Sequence, residues 1–282
     1  MSESPLRIPS YAKVNLWLKV LGKRSDGFHT VQTRMCPISL ADEVQLTLDD
    51  TRSVRLTCSD PTVPTDESNL ALKALRAFER RTGRTLSCAV HLEKHIPHGA
   101  GLGGGSSNAV AVLEGLNRLS GHPLDQEGLL ALAAELGSDV PFFLFHLTCD
   151  ATGRGEVVTA VPNFEWKLPL VLIKPPFGIP TPWAYQHWAS SKPLRGIPSM
   201  AQICPWGDMI NYLERPVFEK WSMLPALKAW LVQQPETRAA LMSGSGSTMF
   251  AITHSHTDAE TLSSKAQELC GPTSQIFTAT TL

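Results

Sequence analysis

Residues 97–107 read Pro97-His98-Gly99-Ala100-Gly101-Leu102-Gly103-Gly104-Gly105-Ser106-Ser107, five glycines within seven positions. Glycine is costly in a packed helix or strand because it loses extra backbone entropy on folding. What it offers is a backbone that takes positive φ and comes close to another group. Successive amide N–H groups in such a run can point into one concavity, which suits an anion. The following segment, Asn108 to Leu119, is rich in Ala, Val and Leu and reads as a helix capped by a small polar residue. A glycine bend opening onto a helix N-terminus attracts phosphate through free N–H groups and through the helix dipole. Gly99 to Gly104 also fits the GxGxxG dinucleotide pattern. Pro97 and His98, however, break the strand entry that pattern needs, and the downstream segment is helical. A P-loop would need a lysine after the glycines, and none follows.

Three other places carry side chains capable of chemistry. Val14, Leu16, Leu18 and Val20 alternate with Lys13, Asn15, Trp17 and Lys19, the pattern of a half-buried strand. Lys13 and Asn15 share the face opposite the aliphatics, and the pattern alone leaves Lys13 open between a solvated strand lysine and a site cation. Asp139, in Gly137-Ser138-Asp139-Val140-Pro141-Phe142-Phe143, enters an apolar run to Phe145. Such an acid is a helix cap, a site residue or both. Phe28 and His29 follow an Asp26-Gly27 turn and belong either to an ordinary hairpin or to a surface on which something packs.

The elements that must position these groups are legible in outline. Val44 to Leu48 and Leu86 to Leu92 alternate as strands, the second leading into the glycine bend. A helix is expected over 68–81, with Asp66 or Ser68 as cap and Gly83 as stop, and another over 125–136, capped by Asp125 and ended by Gly137. Strands are expected over 157–161, 170–174, 249–253 and 275–280. Helices are expected to begin near Trp183, to fill most of 206–230 and to span 258–269. A second Gly/Ser loop runs from Leu241 to Thr248. The proline-bearing stretch 162–169 marks a domain boundary, giving domains 1–161 and 162–282. Hairpins and helices mixed in two halves indicate an α+β fold.

Bulk composition narrows the function classes. The chain has 282 residues, 43% hydrophobic and 18% charged, with a formal net charge of −1. It offers no basic face for nucleic acid and no apolar run of membrane-spanning length. Met1 to Pro9 lacks the apolar core of a secretory signal. Six scattered cysteines form no CxxC pair, consistent with a reducing cytoplasm. His91, His95 and His98 have no carboxylate or cysteine at ligand spacing, so no protein metal site is expected.

Taken together these segments resemble the GHMP small-molecule kinase superfamily, and within it the family that phosphorylates CDP-methylerythritol in non-mevalonate isoprenoid biosynthesis. The resemblance rests on four stretches in the family's order. They are Ala12-Lys13-Val14-Asn15-Leu16 with Gly22 to Thr30, the glycine bend, Gly137 to Phe142, and Met242 to Ser247. It implies a two-domain α+β fold with the active site in the cleft between an N-terminal ATP-binding domain and a C-terminal domain. It also implies ATP and Mg²⁺ as cofactors, a small-molecule alcohol as substrate, and a monomer or homodimer. By the resemblance, residues 97–107 wrap the ATP phosphates, Asp139 is the catalytic base and Lys13 stands beside it. Asn15, Phe28 and His29 contact the substrate, His29 on the cytosine, while Asn69 and Lys94 lie near the adenine. Phe177 is a candidate for the other half of a cytosine clamp. Other GHMP kinases, acting on mevalonate, homoserine or sugars, are the alternative. Phe28 stands where tyrosine is frequent in the family and His146 where glycine is common.

Overall fold

Val14, Leu16, Leu18 and Val20 are all buried on one face of β1, Leu6–Lys23. The other face is covered as well: Lys13 and Asn15 are only 4% and 3% exposed, which removes the solvated-lysine reading. Asp26 and Gly27 make the expected turn, the Asp26 carboxylate accepting the Phe28 N–H at 3.1 Å. The chain then returns as β2, His29–Leu48, of which the alternation at Val44 to Leu48 is only the end. The structure, a computed structural model, describes residues 4–49 and 53–282.

Contacts divide this α+β chain into two compact units that interleave in sequence. The first holds the chain up to Ala12, Ala41–His98 and Gly103–His146; the second holds Lys13–Leu40, Gly99–Leu102 and Leu147–Leu282. The single cut at 161/162 drawn from the prolines differs from this division. The reason lies in the length of β1 and β2, 18 and 20 residues, each of which runs through both units.

In the first unit, the end of β2 pairs antiparallel with β4, Cys88–Glu93, and β3, Val54–Cys58, runs parallel to β4. Helices α1, Leu70–Thr82, α2, Gly104–Leu119, and α3, Gln126–Leu136, supply the apolar cover. Phe78 and Leu75 of α1 and Leu113 and Leu116 of α2 are fully buried, each contributing about 1.5–3 kcal/mol by burial. The cap of α1 is Asn69, whose side-chain oxygen accepts the Ala71 N–H at 2.9 Å, rather than Asp66 or Ser68. Asp66 instead accepts the Ser68 N–H in the preceding turn, and Gly83 ends the helix at φ 67°. Helix α2 opens four residues earlier than expected, so Gly104 to Ser107 are helical and the cap position falls on Gly103 at φ 73°.

The second unit contains β5, Cys149–Thr152, paired with β2 and with β6, Val157–Ala160. Next come β7, Pro169–Lys174, α4, Thr181–Trp188, and β8, Ile210–Asn211. Then follow α5, Glu214–Lys220, α6, Met223–Gln233, β9, Thr237–Met242, and β10, Met249–Thr253. Helix α7, His256–Cys270, and β11, Gln275–Thr280, complete it. A four-stranded antiparallel sheet has the order β11-β7-β10-β9. The helix expected over 206–230 starts only at Glu214 because β8 lies parallel to β1, Trp17 opposite Ile210. Leu18, Val171, Ile173, Val217, Leu224, Met242 and Leu262 meet in one buried core. Among the described residues no helix is long and apolar enough to cross a membrane.

Candidate active site

In the first unit the glycine bend ends on a helix start without a side-chain cap. Gly103, the cap residue, has no side chain to offer, and no acidic residue occupies the first turn of α2. The Ser107 N–H closes the first helical bond onto the Gly103 carbonyl at 2.9 Å. The N–H groups of Gly104, Gly105 and Ser106 precede that first bond and lie at the positive end of the helix dipole. Such an end stabilises an anion at no cost in reorganisation.

Asp139 lies within hydrogen-bond reach of that same turn. It occupies the cap position of a 3-10 helix, Val140–Phe145, yet its side chain makes no capping bond. Its Oδ1 accepts the Ser106 hydroxyl at 2.9 Å instead. Of the two readings open in the sequence, the carboxylate is therefore directed to the glycine bend. Pro141, early in the 3-10 helix, fixes the backbone that presents it.

Two other expected nucleotide contacts turn inward. Ser107 is 4% exposed, and its hydroxyl oxygen accepts from Ser10 at 2.8 Å. The Lys94 ammonium, also enclosed, is paired with the buried carboxylate of Asp42 and bonded to Asn108. Asn69 spends its carboxamide on Ala71 N–H and on the Pro64 carbonyl. Pro97 and His98 form the entry to the bend in this unit.

In the second unit the middle of the bend, Gly99–Leu102, is bound from two sides. Lys13 donates its backbone N–H to the Leu102 carbonyl at 2.9 Å and its ammonium to the Gly101 carbonyl at 2.6 Å. Ser243 Oγ donates to the same Gly101 carbonyl at 2.9 Å, and the Thr248 N–H to Ala100 at 3.2 Å. Gly101 has φ 75°, and a Cβ there would lie 2.3 Å from the Ser243 carbonyl oxygen. Only glycine fits. The Lys13 ammonium also donates to Asn15 Oδ1 at 2.7 Å, and Asn15 Nδ2 to Thr33 Oγ1 at 2.8 Å. Asn15 thus aims the lysine. The Met242–Thr248 loop is itself braced by Asn211, which donates to the Met242 and Gly244 carbonyls at 2.8 and 2.7 Å.

The hairpin turn presents an aromatic group. His29 is 9% exposed, with the Tyr185 ring centroid at 5.5 Å and that of Trp188 edge-on at 6.3 Å. Burial, with help from nearby Lys23, holds the His29 pKa below its ordinary value. Phe28 is 48% exposed, and the Arg154 guanidinium sits 4.9 Å over its ring. Sequence reasoning missed Tyr185 and Trp188; their i, i+3 spacing on α4 puts them on one helix face and was the available signal. At Phe177 the structure shows a backbone role, its carbonyl accepting from Lys174 and Ser247. His146 has φ 53°, which explains why glycine suits that position, and its ring bonds Glu114 at 2.8 Å.

Comparisons with known proteins place the chain in a family. The family models for the GHMP kinases N terminal domain and GHMP kinases C terminal match residues 69–146 and 202–271. The 4-diphosphocytidyl-2-C-methyl-D-erythritol kinase of Methylacidiphilum infernorum is 43% identical over 242 residues, 86% of this chain and 84% of the relative. That of Protochlamydia amoebophila is 42% identical over 248 residues, covering 88% and 84%. A crystal structure of 4-(cytidine 5'-diphospho)-2C-methyl-D-erythritol kinase superposes with a TM-score of 0.80 at 31% identity, covering 98% and 99% of the two chains. Homoserine kinase from Cytophaga hutchinsonii, at 19% identity and a TM-score of 0.64, shares the fold.

Proposed function

The chain belongs to the GHMP kinases, within them to the 4-diphosphocytidyl-2-C-methyl-D-erythritol kinase family, and from that premise we propose the reaction it runs. It transfers the γ-phosphoryl group of ATP to the 2-hydroxyl of 4-diphosphocytidyl-2-C-methyl-D-erythritol, releasing ADP, in the cytoplasmic non-mevalonate route to isopentenyl diphosphate. The observation that carries the reading is the Ser106–Asp139 hydrogen bond, which ties a carboxylate to the turn whose amides suit phosphate.

Phosphoryl transfer asks a protein for position and electrostatics more than for covalent chemistry. Residues 97–107 bind the triphosphate, with the α2 amides opposing charge that spreads onto the γ-phosphoryl oxygens. Asp139 accepts the hydroxyl proton. An alcohol is far too weak an acid to be stripped in advance, so the proton moves late and in concert with phosphoryl transfer, a contribution of about 10²–10⁴-fold. Lys13, aimed by Asn15 and held against Gly101, supplies positive charge to the transferring group. Asn15 contributes a further polar contact to the alcohol. His29, neutral at pH 7 by virtue of its lowered pKa, offers one donor and one acceptor to the cytosine edge. Phe28 and Tyr185 supply rings to its faces. This remote binding energy orients the hydroxyl. Mg²⁺ would accompany the triphosphate, held mostly by phosphate oxygens and water, and would supply charge neutralisation along it.

A coupled ADP-release assay over an alcohol panel tests the reading. ADP release that depends on CDP-methylerythritol, with mevalonate, homoserine and galactose inert, is the expected result. Turnover of one of the other alcohols in its place would overturn the assignment.

A further inference from the structure

Asp42 was singled out by no motif, yet its carboxylate is among the most enclosed groups of the first unit, with a side chain 0% exposed. Its Oδ1 accepts the backbone N–H groups of His95 and Ile96 at 2.7 and 2.8 Å. Its Oδ2 accepts Asn108 Nδ2 at 2.9 Å and the Lys94 ammonium. A carboxylate has about four lone-pair sites, and here four donors fill them. Asn108 passes the connection on, donating to Ser10 Oγ at 2.8 Å, and Ser10 donates to Ser107.

These partners flank the glycine bend. His95 and Ile96 immediately precede Pro97-His98, where the bend begins; Asn108 immediately follows Ser107, where it ends. The two ends also touch. A Cβ on Gly104, the first residue of α2, would lie 3.0 Å from Ile96 Cγ2 and 3.3 Å from Lys94 Nζ. The opening turn of α2 therefore rests on the residues that Asp42 holds.

We propose that Asp42 is a positioning residue for nucleotide binding, its one carboxylate clamping the entry and the exit of the phosphate-binding bend. It acts through the backbone at His95 and Ile96 and through Asn108 and touches no substrate. A buried ion pair is poor evidence for stability, since apolar replacements of such pairs are often neutral. Fixing the geometry of a functional loop is a different task, because a shift of the order of 1 Å in a positioning element can cost about 100-fold in rate. The proposal rests on the reading of residues 97–107 as the ATP-binding bend.

Asp42→Asn tests it, because an amide keeps the shape but offers one acceptor oxygen in place of two, and its NH₂ faces donors. Asn108→Ala, which leaves the Asp42–Lys94 pair intact, is measured beside it as the milder variant. ATP affinity is read by isothermal titration without the alcohol, KM for each substrate by steady-state kinetics, and folding by thermal melts. The expected result is a rise of about 10-fold or more in Kd and KM for ATP in whichever variant melts cooperatively, with KM for the alcohol within about twofold. Unchanged ATP affinity in a folded variant would overturn the proposal, as would a parallel rise in both KM values with a lowered melting temperature. Wild-type protein that binds no ATP would instead overturn the kinase reading, and this proposal with it.

Discussion

The Ser106 hydroxyl donates to Asp139 Oδ1 at 2.9 Å, joining the first turn of α2 to the carboxylate that opens the 3-10 helix. Asp139→Asn keeps the side-chain shape and removes the proposed base. It is expected to lower kcat by about 10²–10⁴-fold with ATP affinity nearly intact. Ser106→Ala removes only the orienting bond, worth about 1 kcal/mol, and is expected to lower kcat about fivefold. Steady-state rates decide both, and near-normal kcat in the Asp139 variant would remove it as the base.

Gly101 faces a harder steric limit than Gly99, Gly104 or Gly105 of the same bend. Its hypothetical Cβ lies 2.3 Å from the Ser243 carbonyl and 2.8 Å from that of Gly246, both backbone atoms that cannot swing aside. Gly121 has a similar φ, 78°, but nothing within 4 Å of its Cβ position. The pair separates clash from conformational strain. Gly121→Ala should cost about 1 kcal/mol from strain alone. Gly101→Ala should cost more and should also displace the carbonyl that Lys13 and Ser243 hold, so that activity falls by more than stability explains. Urea denaturation together with kinetics on the folded fraction checks this.

Periodicity disclosed what depends on local burial, and less of what depends on distant partners. The alternation around Val14, the 68–81 helix and the glycine bend were readable because each is a pattern within one segment. The start of α2 was not, because glycines at 104 and 105 argue against helix locally, while packing against Ile96 and Lys94 requires the small residue. Asn69 was read as a ligand contact by resemblance, when its nearest task is to cap α1. Most of β2 went unread because its partners are residues such as Cys149 and Ala151, over a hundred positions away. The pattern left Lys13 open between solvent and site, and it is buried, since Asn15, Gly101 and the strand's neighbours enclose it. Asp42 gave no local signal at all; its four donors come from residues 94–108.

The Glu214–Lys228 pair braces the second Gly/Ser loop from within the core. Both residues are buried, and Glu214 Oε1 accepts the Met242 N–H at 2.9 Å. Burial raises the Glu214 pKa, an effect that Lys228 opposes. Lys228→Met removes that opposition and strands the carboxylate, at an expected cost of about 3–5 kcal/mol near neutral pH. The folded state of the variant then holds a proton on Glu214 more tightly than the unfolded state does. Its stability should therefore rise as pH falls from 8 toward the ordinary carboxylate range. A second substitution, Glu214→Gln, should recover most of the loss and flatten the pH dependence. Denaturation midpoints at several pH values measure both effects; a variant whose stability ignores pH would contradict the account.

The role proposed for His29 predicts a pH dependence of its own. Burial against Tyr185 and Trp188, with the positive charge of Lys23 as a lesser cause, favours the neutral ring. The folded pKa lies below the ordinary 6.5, so between 6.5 and that lower value the unfolded chain takes up the proton and the folded one resists it. Stability contributed by His29 is accordingly complete above 6.5 and lost as pH falls through the folded pKa. Cytosine recognition should follow the same titration, because a protonated ring has two donors and no acceptor. The expected profile of kcat/KM for the cytidylated alcohol is flat above pH 6.5 and declines on the acid side, while KM for ATP stays constant. In His29→Gln, which keeps an N–H donor group and an acceptor oxygen at all pH values, that acid limb should vanish while part of the affinity remains. An acid limb that survives the substitution would assign the titration to another group and leave His29 without a part in reading the base.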